Sequence, residues 1–158
     1  MPLKGSYCLI IYLKKEENIK IGNLYSNLKF NKGYYVYIGS EMNSLIPRIK
    51  RHLSQEKKLH WHIDYLLQNK NTKIEEVLFN ISNNKIECKL AQRISKKGAG
   101  IPKFGCSDCK CNSHLIYFKN YEDANENVKN TFNNLNMNYH NLKYFKKNYN
   151  EKNRIIIN

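Results

Sequence analysis

Apolar and polar positions alternate along the chain in a way that predicts several short strands. Two runs, 7–13 and 34–38, are rich in aromatic and β-branched residues, which favour a pleated, half-buried surface. Gly39 and Ser40 are expected to end the second strand, because such a pair is typical of a turn. Further strands are predicted elsewhere: one or two short ones at 19–21 and 28–30, one at 73–81 and one at 115–118.

Helical spacing marks the segments between these strands. Leu45, Ile49 and Leu53 recur at i, i+4 and i+8, so they form one helical face directly after the 34–38 strand. Residues 96–105 hold too many glycines and prolines for a regular element, and they predict a loop. Three more helices are predicted: around Trp61, Ile63, Leu66 and Leu67; at Ile86, Leu90 and Ile94; and at Val128, Phe132 and Leu135, with Asp123 as the cap.

These elements predict an α+β fold, in which a small sheet of three or four mainly antiparallel strands is flanked by helices. A chain of 158 residues is long enough for one domain with a hydrophobic core. We therefore place a single domain at 1–136 and a basic tail rich in Asn, Lys and Tyr at 137–158. The tail is predicted to be frayed, because so few apolar residues do not offset the entropy lost on ordering.

The chain is strongly basic, with a formal net charge of +14. This charge favours polyanionic partners, above all nucleic acid. Membrane binding is less favoured, because no segment joins a long apolar face to a lysine-rich face. No small-residue cleavage site follows the apolar N-terminal run, and five cysteines, an odd number, do not suggest a disulfide framework. We therefore expect a cytoplasmic protein that binds nucleic acid and no membrane.

The segment 33–53 joins the tyrosine-rich strand to a helix that carries Arg48 near its start. With Asn43 or Ser44 as the N-cap, Pro47 falls in the first turn, where its missing amide hydrogen has no partner to lose. A guanidinium beside free backbone amides is suited to holding a phosphate. The same helix carries further cationic or titratable groups, which we assign to nucleic-acid contacts: Lys50, Arg51 and His52.

Two histidines, His60 and His62, flank the single tryptophan of the chain, Trp61. An indole can stack on a base and an imidazole can contact a phosphate, so Trp61 and His62 are candidate nucleic-acid contacts. The alternative is that these side chains lie at the surface or at the edge of the core without a role in binding.

A cluster of zinc-type ligands lies between positions 106 and 114: Cys106, Cys109, Cys111 and His114. Four donors within nine residues would need a tight knuckle, whereas zinc sites usually draw on two separated pairs. Zinc is therefore a candidate ligand, but buried structural thiols are the favoured interpretation.

The order of several motifs resembles the GIY-YIG nuclease superfamily. Gly5-Ser6-Tyr7 and Tyr37-Ile38-Gly39 are similar to its two name-giving motifs, and an arginine, a histidine and a helical glutamate follow in the expected order. Longer segments between Lys4 and Phe118 resemble a small GIY-YIG-like family, some members of which are joined to an endonuclease III-like repair glycosylase: KGYYVYIGS, KKLHWHIDYLL, ECKLAQRI and FGCSDCKCNSHLIYF.

This resemblance implies an endonuclease that depends on magnesium or manganese and acts in DNA repair or processing. DNA is then a more fitting substrate than RNA, and a repair glycosylase is a candidate functional partner. Tyr7, Tyr37 and Arg48 match catalytic positions, and Glu87 matches the metal-binding carboxylate. Without the resemblance, Glu87 would be read as an ordinary solvated helix residue.

In the implied mechanism one tyrosine activates water together with the metal, while Arg48 holds the phosphate. The usual pKa of tyrosine is about 10, so nearby cations must lower the pKa of this side chain, and Arg48 and the metal are expected to do so. His60 matches the remaining polar catalytic position, with His52 and His62 as less favoured matches.

The sequence also departs from the superfamily pattern. Ser6 replaces the middle isoleucine of the first motif, the two motifs are farther apart than in homing or excision-repair nucleases, and Arg48 follows the second motif one residue late. These departures leave open a second interpretation, a non-catalytic DNA- or RNA-binding module with a degenerate site. Such a module would bind with strong salt dependence but would not cleave.

Overall fold

The computed structural model describes residues 2–55, 57–105 and 111–149, which form seven strands and five helices. The strands are β1 Gly5–Leu13, β2 Glu17–Ile21, β3 Tyr25–Phe30, β4 Gly33–Glu41, β5 Thr72–Ile81, β6 Ala99–Gly100 and β7 Leu115–Phe118. The helices are α1 Leu45–Leu53, α2 His62–Leu67, α3 Glu87–Ser95, α4 Tyr121–Asn134 and α5 Leu142–Tyr149.

The main sheet has the strand order β5-β1-β4-β7-β6, and every pairing in it is antiparallel. The predicted α+β class, with a mainly antiparallel sheet flanked by helices, is confirmed. The predicted three or four strands are too few, because the loop predicted at 96–105 contributes the two-residue strand β6. The strands β2 and β3 pair only with each other and form a separate two-stranded sheet.

Each face of the main sheet carries its own hydrophobic cluster, because successive side chains of a strand point to opposite faces. From β1, Tyr7 and Leu9 enter one cluster together with residues of α1, α2 and α5. Cys8 and Ile10 enter the other cluster, which α3 and α4 cover. Tyr37 of β4 packs on the same face as Tyr7, so both tyrosines lie on the side of α1 and α2.

The predicted stop at Gly39 and Ser40 is wrong, since β4 continues to Glu41. The β1–β4 ladder needs these residues, because Gly39 lies directly opposite Tyr7. A Cβ atom at position 39 would lie 2.5 Å from the Tyr7 Oη atom. The glycine therefore gives the Tyr7 ring the space to lie across β4.

The helix boundaries follow the predicted apolar stripes, and Leu45 and Ile49 of α1 are fully buried. Pro47 lies in the first turn of α1, after the N-cap Ser44, as predicted. One cap differs from the prediction, because the Asn120 side chain accepts a hydrogen bond from the Asp123 N–H, which makes Asn120 the cap of α4.

Within the described part of the chain, no helix combines the length and the apolar character needed to cross a bilayer.

The prediction of a frayed tail beyond residue 136 is wrong for residues 140–149. His140 exchanges two backbone hydrogen bonds with Phe79 of β5, and α5 follows directly. Phe145 is buried and packs edge-on against Phe79, with ring centroids 5.7 Å apart. A few aromatic contacts thus anchor this basic segment, while residues 150–158 lie outside the described part of the chain.

Candidate active site

A cleft of about 610 Å³ opens where β1 begins and β4 ends. Elements that are far apart in the sequence contribute its walls, namely β1, β4, α1, α3 and the turn before α2. The lining includes every residue that the resemblance matches to catalysis or to the catalytic metal, together with two candidate nucleic-acid contacts: Tyr7, Tyr37, Arg48, His60, Trp61, His62 and Glu87. Lys50, Arg51 and His52 are not among its lining residues.

Tyr7 and His52 form a buried pair on the α1 side of the cleft. The Tyr7 Oη and His52 Nε2 atoms are 2.7 Å apart, and both side chains are almost completely buried. Burial and the neighbouring Arg48 lower the pKa of His52 to about 3, so its ring is neutral near pH 7. His52 was predicted to contact nucleic acid, but it has no exposed surface for this and is instead the hydrogen-bond partner of Tyr7.

The protein alone, without a metal, does not lower the pKa of Tyr7. Burial raises the pKa of this phenol well above its usual value, and the nearby Tyr37 adds to the increase. Arg48 acts on the same hydroxyl by charge and by hydrogen bonding, but it offsets only part of the effect. Tyr7 is therefore a neutral phenol in this structure. Since arginine offers only donors, we assign the Tyr7 hydrogen to the bond with His52 Nε2.

Arg48 leaves α1 in its first turn and reaches the cleft between two neighbours. One guanidinium nitrogen lies 2.5 Å from Glu41 Oε2, and the guanidinium carbon lies 4.0 Å from the centre of the Trp61 ring. The arginine side chain keeps a quarter of its surface exposed, so a phosphate in the cleft can still reach it. No sequence pattern predicted Glu41 as the ion-pair partner of Arg48.

Arg51 pairs with Asp64, next to the segment that carries His60 and Trp61 at the edge of the cleft. Its guanidinium donates two hydrogen bonds of 2.9 Å to the completely buried carboxylate of Asp64. Asp64 also accepts bonds from the backbone N–H groups of His60 and Trp61. Burial opposes the ionisation of Asp64, but these donors outweigh it and lower its pKa. This pairing gives Arg51 a structural role, while its contact with nucleic acid stays a prediction.

Two other predicted nucleic-acid contacts are also less open than expected. The Lys50 Nζ atom is buried, so α1 does not present it as part of a basic surface. Arg48 and Arg51 both lie over the Trp61 ring, at 4.0 and 4.3 Å from its centre. At least one face of the indole is therefore already covered by a cation. His60 is exposed and His62 half-buried, and both border the cleft.

Glu87 occupies the opposite wall, in the first turn of α3. Its Oε1 accepts a 2.7 Å hydrogen bond from the Ser40 hydroxyl, and its Oε2 lies 3.4 Å from His114 Nδ1. Burial disfavours the charged form, but the bonds from His114 and Ser40 outweigh it and lower the pKa of Glu87. Glu87 is therefore ionised near pH 7. Ser40 was not predicted as the partner of Glu87, because only the extra length of β4 brings Ser40 to α3.

Two sets of donors in the described residues are suited to metals. Glu87 is an ionised oxygen donor that faces the cleft, which is the type of ligand that magnesium prefers. Cys88, Cys111 and His114 form a group whose ligand atoms all lie within 4.8 Å of one another. The other two members of the predicted zinc cluster, Cys106 and Cys109, lie outside the described residues.

Comparison with known proteins places the chain in a family. A family model described as a domain of unknown function, DUF123, matches residues 6–137. No curated protein and no solved structure gives a significant match. The family match covers well over half of the 158 residues and includes every element from β1 to α4. The chain therefore belongs to the DUF123 family.

Proposed function

We propose that the cleft is the catalytic site of a metal-dependent endonuclease of the GIY-YIG type, which hydrolyses phosphodiester bonds in nucleic acid, with DNA as the favoured substrate. The observation that carries this proposal is the convergence of Tyr7, Tyr37, Arg48 and Glu87 on one cleft. A phosphodiesterase needs a proton acceptor, a cation for the phosphate and a metal ligand, and these side chains supply all three.

Glu87 fits a magnesium or manganese ion. Its Oε1 accepts a hydrogen bond from Ser40 and lies 3.7 Å from the Lys85 ammonium nitrogen, and its Oε2 faces His114. A carboxylate has about four lone-pair sites, so both oxygens can still bind a cation. Magnesium in nucleotide and nucleic-acid sites is typically held by one or two carboxylates, phosphate oxygens and water, so a single glutamate suffices. Bound there, the ion would neutralise charge on the phosphate oxygens.

Tyr7 and His52 are arranged to move a proton away from attacking water. In the proposed step the water gives its proton to the Tyr7 oxygen while the Tyr7 hydrogen passes to His52 Nε2, 2.7 Å away. Burial lowers the pKa of His52 most, and the charge of Arg48 lowers it further. A phosphate that pairs with Arg48 weakens the contribution of Arg48 and makes His52 a better proton acceptor, so substrate binding favours this proton transfer.

Arg48 must exchange partners for this mechanism to operate, because Glu41 now occupies its guanidinium. A phosphate can replace Glu41 as a bidentate acceptor. The tight Arg48–Glu41 pair is also the observation that favours the second candidate function, a non-catalytic DNA- or RNA-binding module. In such a protein Glu41 would keep Arg48 away from the phosphate, and the positive charge of the chain would supply salt-dependent affinity alone.

A cleavage screen tests the proposal directly. The full chain is incubated with magnesium or manganese and with DNA flaps, junctions, abasic duplexes and RNA. Glu87→Gln and Arg48→Ala should each lose on the order of 10²–10³-fold in rate, because each removes one charge-stabilising group. Glu126→Gln on α4 and Arg93→Ala at the end of α3 change the same charges at exposed positions and should cleave normally.

Two results would overturn the proposal. Cleavage that survives Glu87→Gln at the normal rate would place the activity elsewhere. Salt-dependent binding to these substrates without cleavage under any divalent ion, with equal affinity for the wild type and Glu87→Gln, would establish the binding module instead.

A further inference from the structure

The wall of the cleft behind Glu87 holds a set of sulfur and nitrogen donors. Cys88 lies in the first turn of α3, while Cys111 and His114 lie just before β7. The Cys88 Sγ atom is 3.9 Å from His114 Nε2. In a tetrahedral zinc site with Zn–S near 2.3 Å and Zn–N near 2.0 Å, a sulfur and a nitrogen ligand are about 3.6 Å apart. A small contraction of the group would therefore place all three atoms around one zinc ion.

The His114 ring already has the orientation that a zinc ligand needs. Its Nδ1 lies 3.4 Å from Glu87 Oε2, so we assign the hydrogen of the neutral ring to Nδ1, which leaves the Nε2 lone pair towards Cys88. Zinc-bound histidines commonly donate their second ring N–H to a carboxylate in this way. The backbone fixes the residue as well, because the His114 N–H donates to Phe104 and its carbonyl accepts from Ile38.

The surroundings favour zinc over a hard cation. His114 is 3% exposed and Cys111 is 9% exposed, so two of the three donors lie largely out of water, while Cys88 is half-buried at the edge of the cleft. Thiolate and imidazole ligands select zinc, whereas magnesium and calcium require oxygen. The Cys111 thiol also lies 3.6 Å from the backbone carbonyl of Cys88, which keeps the two thiol-bearing segments side by side.

We propose that Cys88, Cys111 and His114 bind one zinc ion, with Glu87 as the hydrogen-bond partner of the histidine ligand. The ion ties the start of α3 to the segment before β7, and it orients Glu87 through His114. The zinc ligands are thus contributed by two separate parts of the chain, unlike a knuckle confined to 106–114. The zinc proposal does not require the proposed nuclease activity, although both involve Glu87.

Metal analysis of the full chain tests the site. Wild-type protein purified from zinc-containing medium should carry one zinc per chain, measured by elemental mass spectrometry. Cys88→Ser and His114→Gln should each weaken zinc binding by about tenfold or more, measured by competition with a chromophoric chelator. Cys8→Ala removes a different buried thiol, in β1, and should keep the full zinc content.

Cobalt provides a second measurement that does not depend on how well a variant folds. Adding Co²⁺ to chelator-treated wild-type protein should produce thiolate-to-cobalt charge-transfer absorption, which zinc then abolishes. Glu87→Gln should retain this absorption but bind zinc about 10–100-fold more weakly, as expected for a group that supports a ligand.

The proposal is overturned if the wild type contains no zinc and gives no charge-transfer absorption with cobalt. It is also overturned if Cys88→Ser and His114→Gln hold zinc as tightly as the wild type. Neither measurement uses cleavage, so a failed nuclease screen leaves this test intact.

Discussion

The two walls of the cleft are built on different principles. The wall of α1 contains buried polar groups that are paired with one another, with Asp64 completely buried and His52 2% exposed, although His52 Nδ1 has no hydrogen-bond partner among the described residues. The wall of α3 presents Glu87, whose side chain keeps 18% of its surface exposed and whose oxygens can accept further bonds. The first wall is therefore fixed by folding, whereas the second can still accept a ligand. We expect substitutions of the buried residues in the α1 wall to change stability, and substitutions of Glu87 in the α3 wall to change binding.

The largest expected effect is on stability, at the base of the α1 wall. Asp64→Ala removes the acceptor for Arg51 and for two backbone N–H groups. Breaking such a buried pair on one side should lower the free energy of unfolding by about 3 kcal/mol, measured by urea denaturation. Asp123→Ala, at an exposed position in the first turn of α4, should cost at most about 0.5 kcal/mol. If Asp64→Ala and Asp123→Ala lower the free energy of unfolding equally, the buried groups of the α1 wall do not stabilise the fold as proposed.

A smaller loss is expected from Gly39→Ala, which places a methyl group 2.5 Å from the Tyr7 ring. The ring has no room to move, because Tyr7 is completely buried and bonded to His52. Overpacking of this kind should cost about 2 kcal/mol in the free energy of unfolding. Gly100→Ala is the control, since its Cβ would meet its nearest neighbour, Ser113, only at 3.2 Å. If the Gly39→Ala protein is as stable as the control, the Tyr7 ring can shift to accommodate the added methyl group.

The buried histidine should make stability depend on pH. Unfolded His52 takes up a proton near pH 6.5, whereas the folded pKa is about 3, so the unfolded state binds more protons between these values. Stability should therefore fall as the pH drops from 7 to 5, with a slope of up to about 1.4 kcal/mol per pH unit. Asp64 and Glu87 contribute little to the change in stability between pH 7 and pH 5, because their pKa values are lowered.

The comparison uses His52→Gln, which keeps a polar side chain but does not titrate. Its free energy of unfolding should change less between pH 7 and pH 5 than that of the wild type, by about 1–2 kcal/mol. Identical pH dependence in the two proteins would mean that His52 is not buried in the neutral form.

The smallest effect is expected where the two walls meet. Glu41→Gln removes the charge that competes with phosphate for Arg48. A partly exposed pair of this type is worth about 1 kcal/mol, so affinity for nucleic acid should rise about fivefold at low salt. Glu126→Gln makes the same change of charge on α4 and should raise affinity less. If both variants bind nucleic acid with the same affinity, Glu41 does not compete with phosphate for Arg48.

The local elements of this fold could largely be predicted from the sequence. Strand composition located β1 and β4, and the spacing of Leu45 and Ile49 located α1. The motif resemblance also selected Tyr7 and Glu87, which the fold places in one cleft. Residue composition, helical spacing and motif matches can all be read from short segments of sequence, so these features could be predicted without the pairing of distant elements.

The missed features depend on distant contacts. Ser40 contacts Glu87, and Cys88 contacts His114, only because α3 packs beside β4 and β7. No local sequence pattern predicts these contacts. Other misses had a signal. Asp64 follows the buried Ile63 in a largely apolar segment, where an acidic residue suggests a buried partner. Leu142, Phe145 and Tyr149 of α5 recur at i, i+3 and i+7, which indicates a helix that the overall composition concealed.

The docking of His140 and α5 has a consequence for how the protein can be truncated. The family match ends at residue 137, but β5 is an edge strand of the main sheet, and the Phe79–His140 bridge occupies part of its outer side. A chain cut at residue 137 would uncover that edge and the aromatic face beside it. Bare edge strands are templates for pairing between molecules, so the shortened chain should self-associate, whereas a chain ending at residue 149 should remain dispersed.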